Sequence, residues 1–262
     1  MKRNILSVDV RKMGGSETGP AQDLVAVEEP LEIRIGGKAV SITMRTPGND
    51  TELAAGFLFG EGILRSRADI ERIDADGPNA VNVAVNVDVD TEHLERNFYT
   101  TSSCGVCGKA SIEAVYSTGC RMLPRNGFAV DGRIIHGLPR SLRESQAVFD
   151  RTGGLHAAAL FDRDGKLISV REDVGRHNAV DKVIGTEFLA GRTPLLDRML
   201  LVSGRVSFEL VQKAVMAGIP LLAAVGAPSS LAVELARRFE MTLLGFVRDD
   251  RFNMYSADWR VL

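Results

Sequence analysis

Three short apolar runs in the last third of the chain constrain the fold more than any other feature. Residues 199–202 (Met-Leu-Leu-Val) are followed by Ser203-Gly204-Arg205 and a helical pattern over 207–217, which Gly218 ends. Residues 221–225 are followed by Gly226-Ala227-Pro228-Ser229-Ser230 and a second helical pattern reaching Phe239. A third run spans 242–247. Continuous apolar runs of strand length, alternating with helices, are the pattern of a parallel sheet buried on both faces. The expected unit is therefore βαβαβ in an α/β fold.

Open parallel sheets bind ligands at the carboxyl ends of their strands. Three such ends can be named: Ser203, Gly204 and Arg205; Pro228 and Ser229 with their neighbours; and Phe246, Val247, Arg248, Asp249, Asp250 and Arg251. The first two open helices, whose amides and hydroxyls suit a phosphate. Arg205, Arg248 and Arg251 add forked donors. Any one loop alone reads as ordinary turn chemistry, but three at one edge point to a nucleotide-like ligand. Neither a Walker A motif nor G-x-G-x-x-G is present.

Upstream, the chain changes character. Residues 11–23 are polar and glycine-rich, a lead-in expected to be mobile. Leu31, Ile33 and Ile35, then Val40, Ile42 and Met44, alternate about Gly36-Gly37, predicting a hairpin. Asn49 or Asp50 can cap a helix carrying Leu53, Ala54, Phe57 and Leu58 and ending near Gly60-Glu61-Gly62. Val81, Val83, Val85, Val87 and Val89 predict one half-buried strand. A helix is expected from Lys109, another over 141–150 ending at Gly153-Gly154, and a hairpin of 156–161 with 167–170 turning at Asp164-Gly165. Val180, Val183, Ile184, Phe188 and Leu189 mark a further helix. The expected organisation is a lead-in over 1–23, a smaller, mainly β part with one helix over 24–100, and an α/β domain over 101–262.

At the start of the α/β domain lies Ser102-Ser103-Cys104-Gly105-Val106-Cys107-Gly108-Lys109. A thiol transfers sulfur or electrons as its thiolate, so its pKa must fall from about 8.5 towards neutrality. A helix beginning near Gly108, the charge of Lys109 and two glycines all favour that. Three chemistries fit the spacing: a dithiol oxidoreductase, a persulfide carrier, or half of a zinc site completed by Cys120 and a histidine among His136, His156 and His177. Against zinc, no second C-x-x-C and no H-x-x-x-H follows. His93-Leu94-Glu95 before the pair imitates the zinc-deaminase signature. However, Ser103 replaces its proline and only eight residues separate Glu95 from Cys104, too few for the intervening strand, so His93 reads as a surface residue.

Composition narrows the setting. The chain has 262 residues, 45% of them hydrophobic, enough for an apolar core without disulfides or a structural metal. A net charge of -2 gives no bulk reason to bind nucleic acid or an anionic membrane. The N-terminus has no apolar signal core, no run is long enough to span a bilayer, and three cysteines suit a reducing compartment, so a cytoplasmic location is expected. The stretch from Arg171 to Lys182 is dense in polar residues; Asp173 or Asn178 can cap a helix there, and His177 is either a core residue or a functional one.

Taken together, the cysteine loop resembles the signature of the formate dehydrogenase accessory sulfurtransferase family. The likeness extends to Gly153-Gly154-Leu155-His156, to Glu172-Asp173-Val174-Gly175-Arg176-His177-Asn178-Ala179-Val180-Asp181-Lys182, to Ser203-Gly204-Arg205, to Ala227-Pro228-Ser229-Ser230 and to Gly245-Phe246-Val247-Arg248. Glu52-Leu53-Ala54-Ala55-Gly56-Phe57-Leu58 and Glu61-Gly62-Ile63 fit as well. The resemblance implies a sulfurtransferase that takes sulfur from a cysteine desulfurase as a persulfide. It passes that sulfur to the molybdenum (or tungsten) bis-guanine-dinucleotide cofactor, so activating formate dehydrogenase. It further implies a larger domain of cytidine-deaminase-like α/β/α fold without the zinc motif, and a homodimer. Carried over, Cys104 and Cys107 are the persulfide cysteines, Cys104 first, and residues 246–251 bind the cofactor's GDP-like moiety. Asp249 and Asp250 set acid beside that phosphate site. Cys120 lies outside the motif and reads as structural. A cofactor-binding chaperone without sulfur transfer is the alternative from another class.

Overall fold

The computed structural model describes residues 4–14, 18–89 and 119–262. It is a mixed α/β fold built on a six-stranded sheet. In chain order that sheet comprises β7 (His156–Phe161), β8 (Leu167–Asp173), β9 (Met199–Val202), β10 (Leu221–Ala224), β11 (Thr242–Gly245) and β12 (Asn253–Ser256), in spatial order β12-β11-β10-β9-β7-β8. β9, β10 and β11 run parallel, as the βαβαβ pattern requires, and their apolar runs are buried on both faces. The edges are closed by antiparallel strands, β12 on one side and the β7–β8 hairpin on the other.

Alternating side chains divide between two layers. Ala157, Ala159, Phe161, Leu201, Ala223 and Leu244 pack with Ile135, Leu138 and Leu142 of helix α2 (Gly132–Glu144). Ala158, Leu160, Leu200, Val202 and Leu222 pack on the opposite face with α4 (Arg176–Leu189), α5 (Phe208–Met216) and α6 (Ser230–Arg238). A second sheet, in order β4-β3-β6-β5, is formed by β3 (Glu29–Ile35), β4 (Lys38–Arg45), β5 (Ile70–Ala75) and β6 (Ala80–Val85). Its Leu31, Ile33, Val81 and Val83 join the same core as α4 through α1 (Asp50–Gly60). The two parts thus share one continuous core.

The α1–α4 contact is close because glycines form it. A Cβ on Gly185 would lie 1.9 Å from the Glu52 carbonyl oxygen, and one on Gly56 would lie 1.9 Å from the Asp181 carbonyl oxygen. With backbone against backbone on one side and the sheet on the other, α4 is buried nearly all round, including Asp181 and Lys182.

Several expectations are corrected. The lead-in is not a bare tail: β1 (Ile5–Lys12) pairs antiparallel with β2 (Gly19–Ala26). Exposed polar residues alternate with half-buried Val8, Val10 and Leu24, a pattern weakened in sequence by the intervening glycines. In the hairpin, Ile42 is exposed, because the register shifts at Ile33/Arg34 and the inward face changes after Val40. The valine strand stops at Val85. The helix expected over 141–150 is two helices, α2 and the one-turn α3 (Phe149–Thr152). Gly137 and Pro139 inside α2 hide its 13-residue length, although Asp131 caps it by accepting from the Arg133 amide. The expected helix from Lys109 and the residue His93 lie outside the described residues.

Candidate functional site

The carboxyl edge of the six-stranded sheet gathers nearly every motif marked in the sequence. Loops after β9, β10 and β11 interlock there: the Gly226 amide donates to the Gly204 carbonyl (3.1 Å), and the Phe246 amide donates to the Gly226 carbonyl (3.1 Å). Small residues are required for this. A Cβ on Gly226 would lie 2.7 Å from the Gly204 oxygen, and one on Gly245 would lie 2.9 Å from Pro228 Cδ. Because β7 runs antiparallel to the central strands and β8, antiparallel to β7, runs parallel to them, His156 at the start of β7 and Asp173 at the end of β8 reach the same edge, opposite one another in register.

Within this edge the predicted residues separate by what their side chains already do. The Ser203 hydroxyl accepts from the Ala157 amide (2.9 Å), and the Ser229 hydroxyl caps α6 by accepting from the Ala232 amide (3.2 Å). Pro228 bridges to Val206. These three build the scaffold. Arg205, Asp250 and Arg251 are exposed and have no side-chain hydrogen bond or ion pair among the described residues. Arg248 closes the tight turn of residues 248–251, its amide donating to the Arg251 carbonyl (2.8 Å), while its guanidinium also donates to the Val225 carbonyl (2.9 Å). Val247 is buried beneath the turn.

Phe246 is unusual. Its φ of 54° is in the left-handed region, which costs a non-glycine residue about 1–2 kcal/mol. It ends β11 early and leaves the ring 42% exposed at the edge. Strain of this kind is found where a site must present a side chain.

A groove runs beside these residues on the α2 face. One cleft of about 420 Å³ is lined by Pro139, Val225, Val247, Arg248, Asp249, Asp250 and Arg251. Pro139 and Val225 also line its neighbour of about 640 Å³, which extends to Phe149, Gly153, Gly154, Leu155, His156 and Ser203. α2 is fastened across the groove by contact of His136 Nδ1 with the Arg248 carbonyl (3.1 Å) and by the exposed Arg140–Asp249 pair (3.3 Å). Sequence marks His136 only as a candidate zinc ligand and Arg140 not at all, because nothing local says that this helix walls the edge.

The polar stretch before α4 resolves into two kinds of residue. Asp173 is fully buried; its carboxylate accepts from the amides of Gly175 (2.8 Å) and Thr46 (3.2 Å) and from Asn178 Nδ2 (3.0 Å), and it pairs with Lys182 (2.7 Å). Glu172 accepts from the Val148 and Phe149 amides at 2.9 and 2.8 Å, capping α3. These acids are structural. His177 instead lies at the edge, its Nε2 2.7 Å from Glu209 Oε2 and 3.0 Å from Ser207 Oγ. Burial holds the His156 imidazole below its usual pKa, helped by the positive charges of Arg176, His177 and Arg205 and opposed by Asp173.

Cys104 and Cys107 lie outside the described residues. Cys120 is buried, and among the described residues no three His, Cys, Asp or Glu side chains are grouped to hold a metal. No helix among the described residues is long and apolar enough to cross a membrane.

Comparison with known proteins extends the likeness over most of the chain. Residues 26–262 match the model of the FdhD/NarQ family. Proteins named sulfur carrier protein FdhD from Mycolicibacterium paratuberculosis and Streptomyces coelicolor are each 54% identical to it, over 91% and 95% of this chain and 92% of each relative. The protein of that name from Sulfolobus acidocaldarius is 43% identical over 98% of both chains. A crystal structure of a proposed formate dehydrogenase accessory protein from Desulfotalea psychrophila superposes with a TM-score of 0.82 at 25% identity, covering 99% of this chain and 100% of that one.

Proposed function

The chain belongs to the FdhD/NarQ family, and from that premise we propose that it is a sulfur carrier. It takes a persulfide from a cysteine desulfurase on Cys104 or Cys107. It delivers that sulfur to a molybdenum (or tungsten) bis-guanine-dinucleotide acceptor bound at the sheet edge, for the maturation of formate dehydrogenase. The acceptor is substrate here, and the enzyme class is a sulfurtransferase working as a homodimer in the cytoplasm.

The observation that carries the reading is the chemistry of the cleft around Phe246, Arg248, Asp250 and Arg251. A guanine nucleotide offers a flat base, two adjacent N–H donors on the base and an anionic diphosphate. The exposed Phe246 ring suits stacking. The Asp250 carboxylate, without a partner among the described residues, suits the base donors. Arg251 and the free side of Arg248 suit the phosphates. The acid that looked out of place in a phosphate site thus acquires a use, while Asp249 is occupied by Arg140. Three small loops, closed by Gly204, Gly226 and Gly245, keep the floor low enough for a ligand to lie across it.

Intact-mass spectrometry after incubation with a cysteine desulfurase and cysteine tests the reading. The expected result is a gain of one sulfur, reversed by dithiothreitol and absent in Cys104→Ala/Cys107→Ala. A simple loss of two hydrogens would instead indicate a dithiol oxidoreductase. The cleft alone would also serve a binding chaperone. In that case Cys104→Ala would keep both GDP binding and formate dehydrogenase activation, whereas a carrier loses only the second.

A further inference from the structure

The same edge holds a second basic cluster, two to four strand positions from β11, or roughly 10–19 Å at the usual strand spacing. His156 Nδ1 lies 3.2 Å from where a Cβ on Gly204 would sit, so the imidazole lies against the loop that carries Arg205. Across the β7–β8 register from His156 is Asp173, from which a two-residue turn leads to Arg176 and His177 at the start of α4.

The acids close to this cluster have partners, although Glu209 keeps one buried oxygen, Oε1, without one among the described residues. Asp173 is closed by Lys182, Asn178 and two amides, Glu172 by the α3 amides, and Glu209 by His177 and Ser207. The two arginines are left over. Arg176 Nε is buried and without a hydrogen-bond partner, and Arg205 has no ion pair among the described residues. A guanidinium partly withdrawn from water and left unpaired is costly unless an anion arrives from outside. His156 also lines the larger cleft, so such an anion has a way in.

We propose that Arg176 and Arg205, set about the His156 side chain, form a pocket for a small sulfur anion, separate from the nucleotide cleft at Arg248 and Arg251. The ligand is the anionic end of the sulfur being carried, so this inference rests on the sulfur-carrier reading. The surroundings select the kind of anion. The imidazole is half-buried, and burial favours its neutral form, which suits a weakly hydrated monoanion better than a strongly hydrated phosphate. Guanidinium is itself a weakly hydrated cation.

The test uses the full chain as Cys104→Ala/Cys107→Ala, so that no thiol of the pair can react, under anaerobic conditions at pH 8. Sodium hydrosulfide is titrated while the imidazole proton signals of the four histidines are followed by NMR, with assignment by single His→Gln variants. The expected result is a saturable displacement of the His156 signal, at lower concentration than with inorganic phosphate or chloride. Arg176→Gln should weaken it at least tenfold and leave GDP binding unchanged. No saturable shift, an equal or stronger response to phosphate or chloride, or loss of GDP binding in the arginine variant overturns the proposal. If that variant does not fold, the comparison of hydrosulfide with phosphate on the parent decides alone. Sulfur loading of the unmodified chain is scored separately by mass. Loading without hydrosulfide binding sinks the pocket only, whereas no loading with binding intact sinks the carrier reading.

Discussion

Asp173 and Arg176 stand three positions apart in one polar stretch, yet their charges are used in opposite ways. Asp173 is withdrawn from solvent and closed on all sides; it ties β8 to the Thr46 backbone and, through Lys182, to α4, whose Lys182 ammonium also donates to the Thr46 carbonyl (2.9 Å). Arg176 begins α4 with its Nε buried and without a hydrogen-bond partner among the described residues. The same contrast separates Glu172 from Arg205, and Ser229 from Arg251. Charge inside a motif therefore does not identify a ligand-binding residue. What distinguishes the two groups is whether the fold itself supplies the partner.

The contrast can be broken most severely at its closed end. Asp173→Ala leaves Lys182 buried without its counter-charge and two amides without an acceptor, so a loss of about 3–5 kcal/mol is expected in urea denaturation. A loss below about 1 kcal/mol would mean that the seam is not closed as described. Next in size, Gly185→Ala forces a methyl against the Glu52 carbonyl, and overpacking of this kind costs about 1–3 kcal/mol. The same assay checks it, and an unchanged midpoint would show that α1 and α4 can part cheaply.

At the open end the expected signature is reversed. Arg251→Gln should leave stability within about 0.5 kcal/mol but weaken GDP binding about tenfold, or about 1.4 kcal/mol, by calorimetric titration. Stability loss with intact binding would move Arg251 to the closed group. The smallest effect is in pH dependence. The His156 pKa is lowered in the folded chain, so the unfolded chain binds the proton first, and stability falls as pH drops below about 6.5. His156→Gln should flatten the part of the stability–pH curve below that point. Parallel curves would remove His156 from the acid response.

Much of the architecture was legible because it follows from local periodicity. The runs at 199–202, 221–225 and 242–247 read as buried strands, the last two ending at Ala224 and Gly245, and the glycine–glycine turn at 36–37 reads as a hairpin. The errors share a cause. Ile42 departs from its pattern because a bulge changes the inward face without altering the sequence, and α2 begins earlier than its pattern because Gly137 and Pro139 mask a helix that tertiary packing sustains. The candidate cleft was half legible: its turn from Phe246 to Arg251 stood out by residue type, while its α2 wall did not.

The sequence alone determined which residues could do chemistry: a cysteine pair, a family of glycine-closed loops, and arginines after strands. Only the tertiary structure decided which of them have partners. Antiparallel β7 and β8 bring His156, Asp173 and Arg176 to the edge formed by the parallel strands, and residues as distant as Thr46 and Asp173 meet there. Whether a polar group is satisfied depends on neighbours far away in the chain, and local sequence carries no record of those distances.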